Sequence, residues 1–483
     1  MVKAHPTMQL ILGMALAGWM AAGTVLAQTA VTSTSQEQKE LAVTVYNSNV
    51  ALVRDVRHLR LPAGVIDLRF MDIAAQVNPA SVHIASLTAP NQLNVLEQNY
   101  EYDLLSPEKL LQKYVGKEVT LIRYVFDHDS TKEVPVRAVL LANNQGPVWK
   151  VGNEIITGMG ADRYIFPDLP ENLYSKPTLV WLLDNRRAGE QTVEASYLTN
   201  QVNWNADYVL TVHSNQTVAD LNGWVTVVNQ SGAAFRNAQL QLVAGELNRV
   251  VQPHVAKMRA TTQAVEVAAA APQFEQEAIS EYHLYTLQRP TNIQENETKQ
   301  ISLLAAAGAA IEKVFQVDGQ PYYYQSQLSP GQPVKEPVKV LIKLKNSEAN
   351  SLGVPLPAGT VRVYQGDSKG RLQFIGEDRI DHTPKDETVS LHIGNAFDVV
   401  VERKQADYQR LGPHNVEVAY EISLRNHKPD PITVVVNEPI GGDWTMLDSS
   451  FKYEKSAAFA ARFTVPIAAN GEAVLKYRVR VHW

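Results

Sequence analysis

"AANGEAVLKYRVRVHW", residues 468–483, decides the fold class. Asn470–Gly471 is a dipeptide suited to a hairpin turn. Beyond it Leu475, Tyr477, Val479, Val481 and Trp483 fall on one side of an extended chain, and Lys476, Arg478, Arg480 and His482 on the other. A period of two sustained over that length describes a strand with one dry and one wet face. The same alternation runs through "LAVTVYNSNVALVRDVRHLRLPAGVIDLRF" (41–70), with turns at Asn47–Asn49 and Pro62–Gly64. It returns in "VRVY" and "RLQF", joined by "DSKG" (367–370), and before the Asp318–Gly319 turn of "VDGQPYYYQ" (317–325). Short alternating strands with close-spaced turn residues predict an all-β chain of tandem antiparallel, Ig-like β-sandwiches.

One short helix interrupts the strands. In "SPEKLLQKYVGK" Ser106 is placed to cap, Pro107 to open the first turn, Glu108 to face the positive helix end and Gly116 to stop it. Leu110, Leu111 and Tyr114 form its apolar stripe. Five short strand segments follow, at 116–124, 134–143, 147–152, 153–158 and 163–170, on the scale of a small SH3-like barrel inserted into the first sandwich.

The chain ends bound the rest. Lys3 and His5 precede an apolar run (8–23), and Val25 and Ala27 stand where a signal peptidase takes small side chains. Residues 1–27 therefore read as a cleaved secretory signal with Ala27/Gln28 as the junction. The run is shorter than the roughly 20 residues of a bilayer-spanning helix. Zero cysteines among 483 residues exclude disulfides, thiolate metal sites, thiol nucleophiles and lipidation at the junction. A net charge of −6 without a basic cluster argues against nucleic acid and anionic membrane surfaces.

These signals divide the chain into the signal (1–27), an N-terminal β domain (40–104, with 172–200 as its candidate completion), and the helix with the small barrel (105–170). A central sandwich (175–337) and a C-terminal Ig-like sandwich (338–483) follow. The Ala-, Gln- and Glu-rich stretch 251–279 lacks alternation and reads as a flexible surface excursion of the central sandwich. "LPAG" occurs at 61–64 and at 356–359, each time leading into a strand.

Chemistry is concentrated in "EDRIDHTPKDE" (377–387). Leu372, Phe374 and Ile380 before it, and Val389, Leu391 and Ile393 after it, place it at a hairpin tip with Pro384 second in the turn. Alternate oxygens around a glycine, which a calcium loop needs, are missing. A metal-dependent or hydrolytic alternative rests on Asp381, His382, Asp386 and Glu387. "SPEK" (106–109) lacks the Lys-Thr-Gly that its penicillin-recognising counterpart requires. "GMGADR" (158–163) is too short of glycine for a dinucleotide loop, and "DHD" (127–129) joins two strands. Trp204 and Tyr208 are expected in a core. If "PYYY" were a strand, Tyr323 would face away from Tyr322 and Tyr324. Tyrosine is a good strand residue, which is the preferred reading, with stacking of an exposed tyrosine on sugar or a partner protein as the alternative.

Several long segments (196–212, 220–250, 281–304 and 355–387) resemble a family of bacterial secreted proteins that share a domain of unknown function. That domain is related to the C-terminal part of mucoidy-inhibitor-A-like proteins, and the resemblance runs from about residue 41 to the end. It implies an all-β envelope protein and supplies no established active site. The sequence thus predicts a non-catalytic secreted or periplasmic protein, structural or binding, without cofactor or metal, whose partner is an envelope protein or polysaccharide and which is not integral to the membrane. The alternating residues ending on Trp483 also suit the last strand of an outer-membrane barrel, a further alternative.

Overall fold

The computed structural model describes residues 29–101, 104–127, 130–170, 173–245, 248, 273–328 and 332–483. The expected signal (1–27), His128–Asp129 of the "DHD" loop and 251–272 of the expected excursion lie outside them. The chain is all-β, with five sheets and one α-helix among the described residues.

Strands Gln38–Tyr46, Val50–Leu61 and Gly189–Asn200 pair antiparallel in one sheet, which faces a second built from Thr29–Ser33, Gly64–Met71, Thr178–Asn185 and Leu93–Glu101. Phe70, Trp181, Val43 and Leu59 are buried in their shared core. The helix Pro107–Lys113 and the five-stranded module interrupt this sheet between Leu93–Glu101 and Thr178–Asn185. Those two strands pair directly, so the insert leaves and returns at one place. Ser106 accepts from the Lys109 amide, Gly116 takes φ +86°, and the module has its own core around Tyr114, Leu121, Leu140 and Trp149.

Strand pairing crosses the expected domain boundaries. Phe235–Ala244 pairs parallel with Gln38–Tyr46, and Val202–Val212 pairs parallel with Gly359–Gly366. The 22-residue strand Glu297–Asp318 links both halves. Ile301, Ala306 and Ile311 belong to the large core, whereas Phe315 and Val317 belong to that of the C-terminal sandwich. There, Ile432–Pro439 and Ala460–Ile467 face the sheet Val334–Glu336, Val399–Arg410, Asn415–Asn426, Glu472–His482 and Asp443–Ser449. Trp204 and Tyr208 are buried as expected, and "DSKG" joins two paired strands.

Six local expectations are corrected. Asn470–Gly471 is not a hairpin turn. The strand before it pairs with Ile432–Pro439 and the one after it with Asn415–Asn426, so the turn is an arch between sheets. Likewise Leu372–Ile380 pairs with Gly359–Gly366 and Thr388–Asn395 with Lys339–Lys345, which makes 381–387 an arch, not a hairpin tip. Its turn residues are Lys385 and Asp386, the latter at φ +67°, with Pro384 before them. A β-bulge at Ile375 reverses the side-chain phase, so Ile380 is buried while Leu372 and Phe374 point outward beside Tyr364. Phe274–Ile279 is a strand paired with Tyr282–Leu287, not part of an excursion. "PYYY" is a 3-10 turn, Pro321–Tyr324, begun by a proline that cannot donate to a ladder. Finally, Trp483 lies past the end of its strand and is exposed, whereas Leu475, Tyr477, Val479 and Val481 face a protein core and not lipid. No helix among the described residues is long and apolar enough to cross a membrane.

Candidate functional site

The stretch 377–387, a strand end and its arch, does not gather its charged groups. Asp381, His382, Asp386 and Glu387 are each exposed. His382 Nδ1 accepts from the Ala358 amide, and Lys385 bonds Glu348 at 2.6 Å. What orders the arch is buried Asn346, whose amide group donates to the carbonyls of Val354 and Pro384 and whose backbone bonds Asp386 and Glu387. Among the described residues no three His, Asp or Glu side chains are placed to hold a metal ion. Ser106 is engaged as the helix cap, and Asp162 of "GMGADR" accepts from the Tyr124 amide. A surface groove of about 580 Å³ lies beside the helix end, where Lys113 and Lys117 share the walls with Glu118 and Asp168.

The densest buried chemistry is in the C-terminal sandwich. Arg403, from Val399–Arg410, is enclosed between the sheets. Its Nε and Nη2 donate to the two oxygens of Glu336 at 2.7 and 3.1 Å, and Nη2 also donates to Glu438 Oε1 at 2.6 Å. Four tyrosines surround the ions. Tyr324 Oη donates to Glu438 at 2.5 Å and lies 2.8 Å from Tyr477 Oη, while Tyr323 Oη donates to Glu336 at 2.9 Å. Tyr420 Oη donates to the Tyr323 carbonyl at 2.6 Å, and the guanidinium lies over the Tyr323 and Tyr420 rings. Burial alone would lower the Arg403 pKa, but the carboxylates of Glu438 and Glu336 and the Tyr477 hydroxyl drive it well above its usual value. Burial, reinforced by Glu438, pushes the Tyr324 hydroxyl well up, and burial does the same for Tyr477. The cluster is therefore a charged arginine among neutral tyrosines, closed on itself and suited to holding sheets together.

Sequence reading passed over this cluster because its members stand on separate strands and form no local motif. A signal was present: Arg403 keeps the inward phase of Val399 and Val401, and Glu438 that of Val434 and Val436. A charge at an apolar phase implies a buried partner. Arg57 and Asp55 repeat the pattern between Val53 and Leu59, with an ion pair of 2.8 Å and the guanidinium 3.4 Å above Phe70.

This cluster, a lock between the sheets, includes Glu438 near the end of Ile432–Pro439, beside the crossing from one sheet to the other. Gly319 donates its amide to Asn437, and the chain crosses there from one sheet to the other through Pro321–Tyr324. The Trp483 amide bonds the His414 carbonyl, a β-carbon on Gly442 would lie 3.2 Å from that of Trp483, and Trp444 Nε1 bonds the Ala458 carbonyl. Leu411 (51% exposed), Phe459 (61%) and Trp483 (46%) face solvent where strands of the sandwich end, and Tyr322 (53%) does so on the crossing turn. Tyr323 and Tyr324 are buried, which counts against the alternative of a tyrosine platform for sugar and leaves Tyr322 as the exposed ring of the three. The sheet face nearby is wet: Arg480 pairs with Glu417, Lys476 with Glu421 and Arg478 with Asp407.

No curated protein matches the chain. Residues 193–483, which include the lock and the loop end, match the family model described as Domain of unknown function (DUF4139). With well over half of its length matched, the chain belongs to the DUF4139 family.

Proposed function

We propose that the protein is an exported, non-catalytic module of a bacterial cell envelope that binds a partner protein or polysaccharide through the loop end of its C-terminal sandwich. The observation that carries the proposal is that Leu411 and Phe459, on two strand connections, and Trp483, just past the last strand, are exposed where those strands of the sandwich end, with Tyr322 exposed on the turn that crosses between its sheets. Sandwich folds use loop ends for recognition because the sheets hold the loops in fixed relation. Exposed aromatic rings supply contact area at low conformational cost. Lys3, the apolar run 8–23 and Val25 and Ala27 support export, and the resemblance to mucoidy-inhibitor-A-like proteins supports an envelope setting. The hydrolytic alternative requires convergent acid–base groups, and its candidates Asp381, His382, Asp386 and Glu387 stand apart on an arch built around Asn346.

The test is to express the full chain and a Tyr322→Ala, Phe459→Ala, Trp483→Ala variant, then fractionate the envelope with salt and alkaline carbonate before detergent. The proposal expects a wash-released chain, mature from Gln28, that migrates on native gels in a complex which the variant fails to form. A hydrolytic activity that survives purification and vanishes on one substitution away from this end would overturn it.

A further inference from the structure

The exposed ring of Tyr322 rests edge-on against Tyr323, with centroids 4.8 Å apart and planes at 73°. Tyr323 in turn lies against the Arg403 guanidinium and donates its hydroxyl to Glu336. Two contacts thus connect a solvent-facing ring to a buried ion triad.

The triad is assembled from unlike parts. Arg403, Glu438, Tyr420 and Tyr477 stand on long strands of the two sheets. Tyr323 and Tyr324 stand on a single 3-10 turn, and Glu336 ends a three-residue edge strand whose one pairing among the described residues is with Val399–Arg410. Charge divides them the same way. Arg403 and Glu438 together are neutral, so the two sheets are balanced without Glu336. Seating Glu336 brings a second carboxylate to one guanidinium and leaves a net buried negative charge. The closed state keeps that charge through the bidentate geometry at Arg403 and the hydroxyls of Tyr323 and Tyr324.

We propose that Tyr323, Tyr324 and Glu336 form a releasable latch on the C-terminal sandwich, with Arg403 as its catch, and that its closure fixes Tyr322 at the loop end. The latch stands on these contacts alone; the role given to Tyr322 rests on the function proposed above.

Amide exchange by mass spectrometry on the full chain tests it with Glu336→Gln, which keeps the shape of the side chain but turns an NH2 group toward the Arg403 donors. Residues 321–328 should exchange about a hundredfold faster, the order expected for removing one charge of a buried pair. The strands Asn415–Asn426 and Glu472–His482 should keep their protection. Equal acceleration in those strands would make the latch an inseparable part of the core and overturn the proposal, as would unchanged exchange at 321–328. Tyr322→Ala separates the two ideas, because it should weaken partner capture while leaving 321–328 protected. If Glu336→Gln loosens 321–328 but Tyr322→Ala captures partner normally, the latch holds and the binding reading fails.

Discussion

Arg403 carries the most consequence of any residue in the described chain. Its replacement by Met leaves Glu336 and Glu438 buried without a cation, and urea unfolding should show a loss of about 3–5 kcal/mol. The triple change Arg403→Met, Glu336→Gln, Glu438→Gln should recover part of that loss, because the uncompensated charge is then gone. Beside the lock, a β-carbon on Gly319 would sit 2.4 Å from Glu438 Oε2. Gly319→Ala should cost about 1–3 kcal/mol as the carboxylate is pushed off its partners. Gly366→Ala, which meets nothing within 4 Å, is the control and should cost much less. At this scale the sequence was legible in its phases and illegible in its partners. Tyr477 could be placed inward from alternation alone, but that Glu336, Arg403 and Glu438 meet depends on a crossing between sheets that no local pattern encodes.

Elements were legible where turn chemistry and phase act locally. Ser106, Pro107 and Gly116 mark the helix because caps are local interactions. The arches at 381–387 and 468–471 were misread because hairpins and arches use the same turn residues and differ only in which distant strand each flank joins. The bulge at Ile375 escaped because one extra residue changes no composition while reversing the face of every residue before it. This reversal is testable: Phe374→Lys should change stability by less than about 1 kcal/mol, as a surface substitution, whereas Val363→Lys in the paired strand should cost several. Asp318 gives a pH signature at the junction of Glu297–Asp318, Lys339–Lys345 and Ile432–Pro439. Burial raises its carboxyl pKa, but hydrogen bonds from Asn437 and Lys339 and the Lys339 charge outweigh that and leave it below the usual range. A depressed carboxyl stabilises the fold above its unfolded value of about 3.9 and loses that contribution as pH falls through the folded value. Wild type should therefore exceed Asp318→Asn in melting temperature at neutral pH, and the two should converge below about pH 4. A constant gap down to acid pH would contradict the assignment.

Across the whole molecule, the all-β class followed from periodicity, but the division into tandem units did not. A strand of 22 residues that serves two cores looks in sequence like any long run, because its two halves differ only in their neighbours. The molecule also buries many tyrosines in contact with one another or with ions. Burial raises the hydroxyl pKa of Tyr197, Tyr208, Tyr285, Tyr324, Tyr420 and Tyr477. A raised value in the folded state gives stability that is full below the unfolded pKa near 10 and is lost as pH climbs above it. Tyrosinate absorbance of the buried set should therefore rise late, in one step coincident with loss of far-ultraviolet strand signal. A single smooth titration of all 19 tyrosines in a folded chain would contradict the burial described here.

The measurement that bears most directly on the account is site-specific photocrosslinking in living cells. A crosslinking residue at Phe459 or Tyr322, on the loop end, is compared with one at Lys476, on the charged sheet face. The account predicts a discrete high-mass adduct from the two loop-end positions and none from the sheet face. Adducts of equal yield from the sheet face, or none from the loop end while the chain is folded and in place, would contradict it.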